Sequence, residues 1–349
     1  MEINDLCHKT GEWLRGTGPE SDIVISTRVR LARNVAHFPF LTRVKPEQKQ
    51  EIEAYLRERV MRVGIDENLL YVNLADTEPV DRLFLVERHL ISREHADGDG
   101  QRGVAFGRNE VVSLMVNEED HLRIQVLRSG LELRETWERI NHVDDLLATQ
   151  VNYAFSSRFG YLTACPTNAG TGLRASVMLH LPALSMARQI EKVFNAVGRL
   201  NLVVRGLYGE GTQASGDLYQ ISNQVTLGKS ETDILKTIES VIPRITSYER
   251  MARKHLVEEN RAQIEDRVWR SYGMLRTART ISSEETLHLL SQVRMGVNLG
   301  LIDNVKMKTV NELFILTLPA HLQKMQGREL DPDERNVVRA SFVRSRLGV

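Results

Sequence analysis

The sequence is poor in cysteine and lacks long apolar runs. Its two cysteines, Cys7 and Cys165, lie far apart in a chain of 349 residues, so a disulfide framework of the kind found in small secreted proteins is excluded. No apolar run approaches the roughly 20 residues that cross a bilayer, and the N-terminus has no basic region followed by a hydrophobic one. The sequence therefore predicts a cytoplasmic protein.

An excess of either charge is also missing. The chain carries 46 Lys and Arg against 46 Asp and Glu, which disfavours a general role on nucleic acid or at a membrane surface. The glycine segment 168–172 lacks the Gly-Lys-Ser/Thr ending of a P-loop and is no dinucleotide fingerprint, and the Asp/Gly run at 97–100 lacks the spacing of an EF-hand. Common nucleotide and calcium motifs are thus excluded.

The most distinctive stretch is acidic and joins two predicted strands. Asn117-Glu118-Glu119-Asp120-His121-Leu122-Arg123 directly follows the apolar run 111–116, and a second strand-like run occupies 122–127. Charge is costly beside a buried strand. Carboxylates at a strand end are usually solvated, so on this segment alone an acidic hairpin turn and a charged functional site are equally good interpretations.

Three other segments, at 25–34, 165–177 and 204–212, also combine a β-like run with glycine, arginine and small polar residues. Together with the acidic stretch they contain five arginines, each beside a strand or a glycine turn: Arg28, Arg30, Arg123, Arg174 and Arg205. Guanidinium groups bind phosphate oxygens in bidentate geometry and stay charged when partly buried. The set favours a polyanion such as a triphosphate, although an exposed polar strand would by itself explain Arg28 and Arg30.

Five motifs follow one another between residue 20 and about residue 245: STRVR, VERHL, NEEDHLR, CPTNAGTGLRASV and RGLYGEGT. In these motifs and their order the chain resembles the phosphagen (guanidino) kinase family, the creatine and arginine kinases. The resemblance implies an α+β fold in which helices flank an antiparallel β-sheet, the glutamine synthetase/guanido kinase-like catalytic domain, here over 21–248 after a polar leader at 1–20. It also implies ATP as the phosphoryl donor, with Mg²⁺ carried by the nucleotide and no metal site of the protein's own.

Nucleotide contacts are implied by the resemblance along these motifs. The residues concerned are Ser26, Thr27, Arg28, Val29, Arg30, His89, Arg123, Arg174, Ala175, Ser176, Val177, Met178, Arg205, Gly206, Leu207, Tyr208, Gly209 and Glu210. His89 would lie near the adenine or ribose, whereas a lone histidine near a helix end is more often structural.

The acceptor site implied by the resemblance contains four residues. Glu119 and Glu210 match the two glutamates that grip the guanidinium, Glu118 matches an acidic position that serves the metal or its water shell, and Cys165 matches the thiol beside the guanidinium. A guanidinium is a poor nucleophile because it is protonated and delocalised, so it needs carboxylates that align it and take a proton. A free cysteine otherwise packs as a small hydrophobe.

The chain departs from the creatine and arginine kinases in ways that indicate a subgroup. It reaches the first motif by residue 26, so we expect the helical N-terminal cover to be missing and the cleft to admit arginine within a polypeptide. Met178 stands where histidine usually follows Arg-Ala-Ser-Val, and a helical region occupies 249–349. The resemblance is therefore to the protein-arginine kinases of bacteria, and implies phosphorylation of arginine side chains in proteins.

That subgroup implies a role in the stress response, in which phosphorylation marks proteins for a Clp-type protease or inactivates a repressor. The partners implied are protein substrates with exposed arginines, the CtsR repressor, the McsA activator and the ClpC chaperone, with a homodimer or higher oligomer and no direct contact with nucleic acid or membrane. An allosteric phosphoarginine pocket is implied at Arg335, Asn336, Arg339 and Ala340. The family has aspartate where Asn336 stands, so phosphoarginine sensing and a solvated basic helix face both stay open.

Two other functions remain open at this point. A small-guanidine phosphagen kinase with a reduced N-terminus would also retain both glutamates. A catalytically silent adaptor could use the C-terminal helices to bind a chaperone or repressor, although five arginines and two glutamates argue against it.

The secondary structure follows from periodicity and from capping residues. Predicted strands lie at 23–25, 69–74, 202–206 and, as a three-stranded meander, within 104–127; a flexible acidic loop is predicted at 95–102. Predicted helices lie at 46–64, 79–92, 131–150, 183–200, 231–277, 283–296, 309–326 and 333–347.

Overall fold

The computed structural model describes residues 3–7, 9–66, 68–206 and 215–348. Its strands are β1 Val24–Arg33, β2 Leu70–Asn73, β3 Gly103–Phe106, β4 Val112–Val116, β5 Leu122–Ser129, β6 Phe155–Ser156, β7 Gly160–Tyr161, β8 Leu173–His180, β9 Leu202–Gly206 and β10 Leu218–Asn223. Its α-helices are α1 Pro46–Arg62, α2 Pro79–Glu87, α3 Arg93–Asp97, α4 Leu133–Ala148, α5 Pro182–Met186, α6 Ile190–Gly198, α7 Glu231–Thr277, α8 Ser283–Asn298, α9 Met307–Leu316, α10 Pro319–Gln326 and α11 Pro332–Arg346.

Eight of the strands form one sheet in the order β2-β3-β4-β5-β1-β8-β10-β9, and every neighbouring pair is antiparallel. Strand residues point alternately to the two faces of the sheet. On one face, aliphatic side chains of the central strands are buried against α1, α4 and the first half of α7. The opposite face keeps its polar side chains, so it is the face on which a site can form. The predicted α+β class is confirmed.

The helical region after β10 begins with α7, as predicted. Its dihedral angles leave the helical range at Asn260 (φ −138°, ψ 42°), and α8 to α11 follow. These helices bury a second apolar core that includes Trp13 and Leu14 of the N-terminal segment and Leu127 and Met178 of the sheet. In the part of the chain that the structure describes, no helix combines the length and the apolar character needed to cross a membrane.

Three predicted helices end earlier or are divided. The helix predicted at 79–92 ends at Glu87, and two residues later His89 has φ 58°. The helix predicted at 183–200 is divided into α5 and α6, with Arg188 at φ 55° between them. The one predicted at 309–326 is divided at Pro319, because proline forces the preceding Leu318 into an extended conformation (ψ 156°).

The acidic loop predicted at 95–102 was only partly right. Its first residues belong to α3, and His95 is buried with its Nε2 2.9 Å from Gly103 O. Arg102 is also buried and donates to the carbonyl oxygens of His95 and Ala96. The segment is therefore fastened by hydrogen bonds that its Asp/Gly pattern does not reveal.

Candidate active site

The five arginines singled out in the sequence lie on strands β1, β5, β8 and β9, on the polar face of the sheet. Strand register sets their mutual positions: Arg30 is opposite both Arg174 and Gln125, and Arg123 is opposite Ala32. Arg205 is opposite Gln220 of β10. The sheet thus collects positive charge from strands that are distant in sequence.

Among the described residues, Glu118 and Glu119 form ion pairs with this row, both through Arg123. The pKa of Arg28 is lowered to about 10 by burial and then by the nearby Arg174, Arg123 and Arg205. Burial and the same kind of repulsion put the pKa of Arg30 well below its usual value, and Glu118 offsets that only in part. Arg30 Nε is buried without a hydrogen-bond partner among the described residues. Such a cluster favours binding a polyanion.

A small cleft lies at one end of the arginine row. Its lining includes Trp13, His89, Met178 and Gln220, and Gln220 Oε1 accepts a 2.8 Å hydrogen bond from Arg28. The rings of Trp13 and His89 meet edge to face at a centroid distance of 4.9 Å. In the described part of the structure Trp13 Nε1 and His89 Nε2 are buried without hydrogen-bond partners. Apolar walls with polar atoms still to be satisfied suit a nucleoside.

The backbone conformation of His89 fixes the position of its ring at this cleft. Its left-handed conformation (φ 58°) turns the chain away from α2, and its carbonyl oxygen accepts a 2.5 Å hydrogen bond from Gln125 Nε2. Burial and Arg28 lower the pKa of His89 to about 3, so the ring is neutral at physiological pH. The preceding Glu87 accepts hydrogen bonds from the backbone N–H groups of Ala320 and His321 at the start of α10. The C-terminal helices therefore contact the turn that carries His89.

At the other end of the row, the acidic stretch forms a tight turn between β4 and β5. Asn117 has φ 61° and donates to Lys49 O and Gln101 O, and His121 accepts from Val35 N through Nδ1. Asp120 Oδ1 accepts from Asn34 Nδ2 and from Ala164 N, both at 2.6 Å. These three residues are structural, and Asp120 connects the turn to the segment that precedes Cys165.

Glu118 is buried beneath this turn. Its carboxylate accepts hydrogen bonds from Arg123 Nη1 at 2.5 Å, Ser92 Oγ at 2.6 Å and Glu119 N at 2.8 Å. Burial alone would raise the pKa of Glu118, but Arg123 and these hydrogen bonds outweigh it and lower the pKa below its usual value. The ionised carboxylate thus orients Arg123 and the backbone of Glu119. A role in a metal's water shell would have to compete with these contacts.

We expect Glu118→Gln to lower kcat by about tenfold to a hundredfold, because the amide nitrogen that replaces one oxygen would oppose the Glu119 N–H and displace that residue. Steady-state kinetics would measure the change. Glu53→Gln is the matched control, since Glu53 is a buried carboxylate on α1 that accepts from the hydroxyl of Tyr71 and pairs with Arg57 at 3.8 Å. Equal kcat in the two variants would contradict the positioning role of Glu118.

Glu119 is the exposed carboxylate of the site. It contacts Arg123 Nη2 and Asn168 Nδ2, each at 3.4 Å. Burial of part of the side chain, with Asp120 and Glu118 nearby, raises the pKa of Glu119 above its ordinary value even though Arg123 opposes this. Cys165 lies three residues before Asn168, with its Sγ 3.0 Å from Thr167 Oγ1. A carboxylate of raised pKa beside an amide can bind a guanidinium and accept its proton.

Some residues predicted at the nucleotide do not face it. The side chains of Val29, Ala175 and Val177 lie in the core against the helices, and Thr27 Oγ1 donates to Gly130 O. They alternate with Ser26, Arg28, Arg30, Arg174, Ser176 and Met178, which face the site. Gly206 ends β9, and Leu207, Tyr208, Gly209 and Glu210 lie outside the described residues.

Three residues of the site were not predicted as ligands. Trp13 is the lone tryptophan of the N-terminal segment, Asn168 belongs to the CPTNAGTGLRASV motif without an assigned role, and Gln220 follows the last motif by eight residues. Strand alternation offered a signal for Gln220, because Gln220 and Ser222 flank the core residue Ile221. In the described part of the chain, no group of three or more His, Cys, Asp or Glu side chains could hold a metal ion.

The C-terminal motif lies on α11, away from the sheet. Arg339 is buried and donates to Thr317 O, Ile281 O and Asn336 Oδ1 at 2.8–2.9 Å. Burial and then Arg335 lower the pKa of Arg339 to about 10. Arg335 itself donates to Leu330 O. The guanidinium of Arg339 therefore donates its described hydrogen bonds to neutral oxygens, two backbone carbonyls and the side-chain amide of Asn336.

We expect Asn336→Asp to stabilise the protein by about 1 kcal/mol, because the hydrogen bond to Arg339 would become charge-assisted. Denaturant unfolding of both proteins would measure the difference. Glu329→Asp, which changes an exposed carboxylate elsewhere in the same region, controls for unspecific effects. If the Asn336→Asp variant were less stable than the wild type, the neutral amide at position 336 would not be what weakens the hydrogen bond to Arg339.

Comparisons with known proteins find relatives over almost the whole chain. The family model of the ATP:guanido phosphotransferase, C-terminal catalytic domain, matches residues 51–252, and that of the protein-arginine kinase McsB C-terminal domain matches residues 261–349. The protein-arginine kinase of Symbiobacterium thermophilum is 51% identical over 352 residues, covering 99% of each chain. That of Bacillus subtilis is 46% identical over 340 residues, covering 96% of this chain and 93% of its own.

Solved structures give the same assignment of the fold. A lombricine kinase superposes with a TM-score of 0.60 at 28% identity, covering 68% of this chain and 68% of that chain. A duplicated taurocyamine kinase from Schistosoma mansoni with bound components of a transition-state analogue gives a TM-score of 0.60 at 27% identity, and the match covers 73% of this chain and 36% of that chain.

Proposed function

This chain belongs to the ATP:guanido phosphotransferase family and, within it, to the protein-arginine kinases, and on that premise we propose that it transfers the γ-phosphoryl group of ATP to arginine side chains of proteins. One observation carries the proposal. The arginine row of the sheet runs from the small cleft lined by Trp13 and His89 to the carboxylate of Glu119. Donor and acceptor sites thus share one surface.

In this proposal the nucleoside occupies the cleft and the phosphates lie across Arg28, Arg30, Arg123, Arg174 and Arg205. Phosphoryl transfer passes through a loose transition state, so catalysis consists mainly of positioning and of stabilising charge on the phosphate oxygens. Preorganised guanidinium groups perform both tasks. Mg²⁺ bound to the nucleotide would neutralise further phosphate charge.

The acceptor guanidinium would lie against Glu119. One of its terminal nitrogens attacks the γ-phosphorus, a N–P bond forms, and the bond from phosphorus to the bridging oxygen of ADP breaks. The nitrogen loses a proton, and Glu119 is the acceptor for it because the pKa of this carboxylate is raised. Cys165 would contact the guanidinium from the side of Asn168. Glu210, which lies outside the described residues, is proposed by resemblance as the second carboxylate.

The product identifies the reaction. Incubation with Mg-ATP and an unstructured arginine-containing protein should release ADP in equal amount to phosphate bound through acid-labile N–P bonds on arginine, which mass spectrometry locates. Phosphate on serine or threonine, or ADP release without phosphoprotein, would contradict the proposal.

Regulation and partners are proposed by resemblance. Arg335, Asn336, Arg339 and Ala340 would bind phosphoarginine, for which Arg339 would have to exchange carbonyl partners for phosphate oxygens. We also propose that the protein acts in the cytoplasm, where ATP is available, as a homodimer or higher oligomer, and that CtsR, McsA and ClpC are its partners in the stress response. Protein substrates with exposed arginines follow from the proposed activity itself.

A further inference from the structure

His89 occupies a position at which helices commonly carry glycine. Helix α2 ends at Glu87. The N–H groups of His89 and Leu90 then donate to the carbonyl oxygens of Val86 and Leu85, at 2.9 and 3.0 Å. This pattern is the Schellman motif, whose left-handed residue is usually glycine because a side chain there is strained. Here that residue is His89, at φ 58°. Such strain persists where the surroundings hold the residue in place, and it often marks a functional position.

The carboxylate that ends α2 joins this turn to helix α10. Helix α10 begins with Pro319, and the side chain of the preceding Leu318 caps none of its N–H groups. The buried Glu87 supplies the cap from α2: its Oε1 accepts from Ala320 N at 2.8 Å, and its Oε2 accepts from His321 N at 3.0 Å. N–H groups in the first turn of a helix need such partners. Glu87 and the start of α10 therefore stabilise one another.

Arg88 holds the turn from a second side. Its buried guanidinium donates to both carboxylate oxygens of Glu110, between β3 and β4, and to Lys9 O at 2.9 Å. Its Nη1 lies 3.3 Å from His321 Nε2. Because a guanidinium only donates, we assign Nε2 as the acceptor nitrogen of a neutral ring. The ring proton then lies on Nδ1, which donates to Glu87 Oε2 at 2.8 Å.

The second ring of the cleft is joined to the same helical region. Trp13 meets His89 edge to face and is buried in the apolar core of the C-terminal helices. Its neighbour Leu14 accepts, through its carbonyl oxygen, a 3.2 Å hydrogen bond from Asn311 Nδ2 of α9. Both rings thus line the cleft from positions that the C-terminal helices support, and each has a buried nitrogen without a hydrogen-bond partner among the described residues.

From these contacts we propose that Glu87 and Arg88 are positioning residues for the nucleotide, which hold His89 at the cleft through helix α10. The inference rests on the proposed function, since it concerns the same nucleotide site. Neither Glu87 nor Arg88 is among the residues that line the cleft, so both act through His89, whose Nε2 would bond to the nucleoside. The C-terminal helices are thereby a structural part of the nucleotide site.

The test compares two buried glutamates that cap helices in the same way. Glu249 accepts from Ala183 N and Leu184 N at 3.1 and 3.0 Å, and α5, like α10, begins with proline after an uncapped leucine. Glu87→Gln should raise the Kd for Mg-ATP, measured by calorimetry, by about tenfold, the equivalent of one or two hydrogen bonds to the nucleoside. The KM for an arginine-containing protein should stay unchanged. Glu249→Gln should lower the unfolding midpoint in denaturant comparably and keep the Kd.

Further variants show whether the effect passes through His89. His89→Gly removes the ring and suits the left-handed turn. In that background Glu87→Gln should raise the Kd no further, because two changes that act by one route are not additive. His321→Asn, whose amide nitrogen can replace the Nδ1 donor, should keep the Kd within about threefold, whereas His321→Leu should raise it as Glu87→Gln does.

Three results would overturn the proposal: an unchanged Kd in Glu87→Gln, an equal rise in Glu249→Gln, or additive effects of Glu87→Gln and His89→Gly. Calorimetry needs no acceptor, so failure of the proposed function is distinguishable. If the variants differed as expected but the wild type formed no phosphoarginine, the positioning role would be supported and the proposed phosphorylation of arginine would fail. If the wild type bound no Mg-ATP, both would be contradicted.

Discussion

We expect Glu119→Ala to lower kcat for arginine phosphorylation by about 1000-fold or more without unfolding the protein, since it removes both the charge that aligns the guanidinium and the acceptor of its proton. The fold should persist because Glu119 is exposed and its two contacts, with Arg123 and Asn168, are long at 3.4 Å. Phosphate incorporation into an arginine-containing protein measures the loss, and circular dichroism reports on the fold.

Glu94→Ala is the control for Glu119→Ala. Glu94 is an exposed glutamate on α3, and its charge acts on Glu119 through space, so this variant changes the local charge without touching the acceptor. It should keep kcat within about threefold. Retained activity in Glu119→Ala would remove Glu119 from the mechanism.

A pH dependence accompanies this prediction. Glu119 must be ionised to accept a proton, and its raised pKa means that activity is present above that pKa and is lost as the pH falls through it. The acid limb of the pH–rate profile should therefore lie above pH 4.5, the ordinary value. The residual activity of Glu119→Gln should lack this limb. An identical limb in that variant would assign it to another group.

We expect Arg30→Met to weaken ATP binding by about a hundredfold. We expect the same substitution to stabilise the nucleotide-free protein by about 1 kcal/mol. The arginine is partly buried, is repelled by Arg28, Arg123 and Arg174, and has a buried Nε without a partner in the described structure. Its charge therefore costs stability until phosphate oxygens arrive. Calorimetric titration with ATP and denaturant unfolding without it would measure the two effects.

Arg33→Met provides the contrast on the same strand. Arg33 lies on the opposite face of β1, buried, with an ion pair to Asp144 at 2.6 Å. Its removal leaves Asp144 without its counterion, so we expect a loss of about 3 kcal/mol in stability. If Arg30→Met destabilised the nucleotide-free protein as Arg33→Met does, the charge of Arg30 could not be an unfavourable one that phosphate binding relieves.

Much of the fold could be predicted from the sequence where the signal is local. Alternation along a strand put Arg28 and Arg30 on one face, and the motif order gave the family, which the comparisons confirm. The break at Pro319 had a local signal, proline, that the apolar periodicity of 309–326 concealed. Arg188, which separates α5 from α6, gives no such warning, because a left-handed arginine depends on its surroundings.

Long-range proximity was the part that could not be predicted. The pairing of Arg30 with Arg174 depends on strand register, and the contact of Asn168 with Glu119 depends on the turn fixed by Asp120. Trp13 meets His89 only because the N-terminal segment is buried between the sheet and the C-terminal helices. No spacing rule connects these residues, since the core that brings them together involves the whole chain.

The measurement that tests the central claim most directly is a choice of acceptor. The purified chain would receive Mg-ATP with equal concentrations of arginine as the free amino acid and within an unstructured protein, and mass spectrometry would quantify phosphoarginine in each. We predict phosphoarginine in the protein and none on the free amino acid. Phosphorylation of free arginine instead would contradict the assignment of a polypeptide acceptor and make the chain a small-guanidine phosphagen kinase.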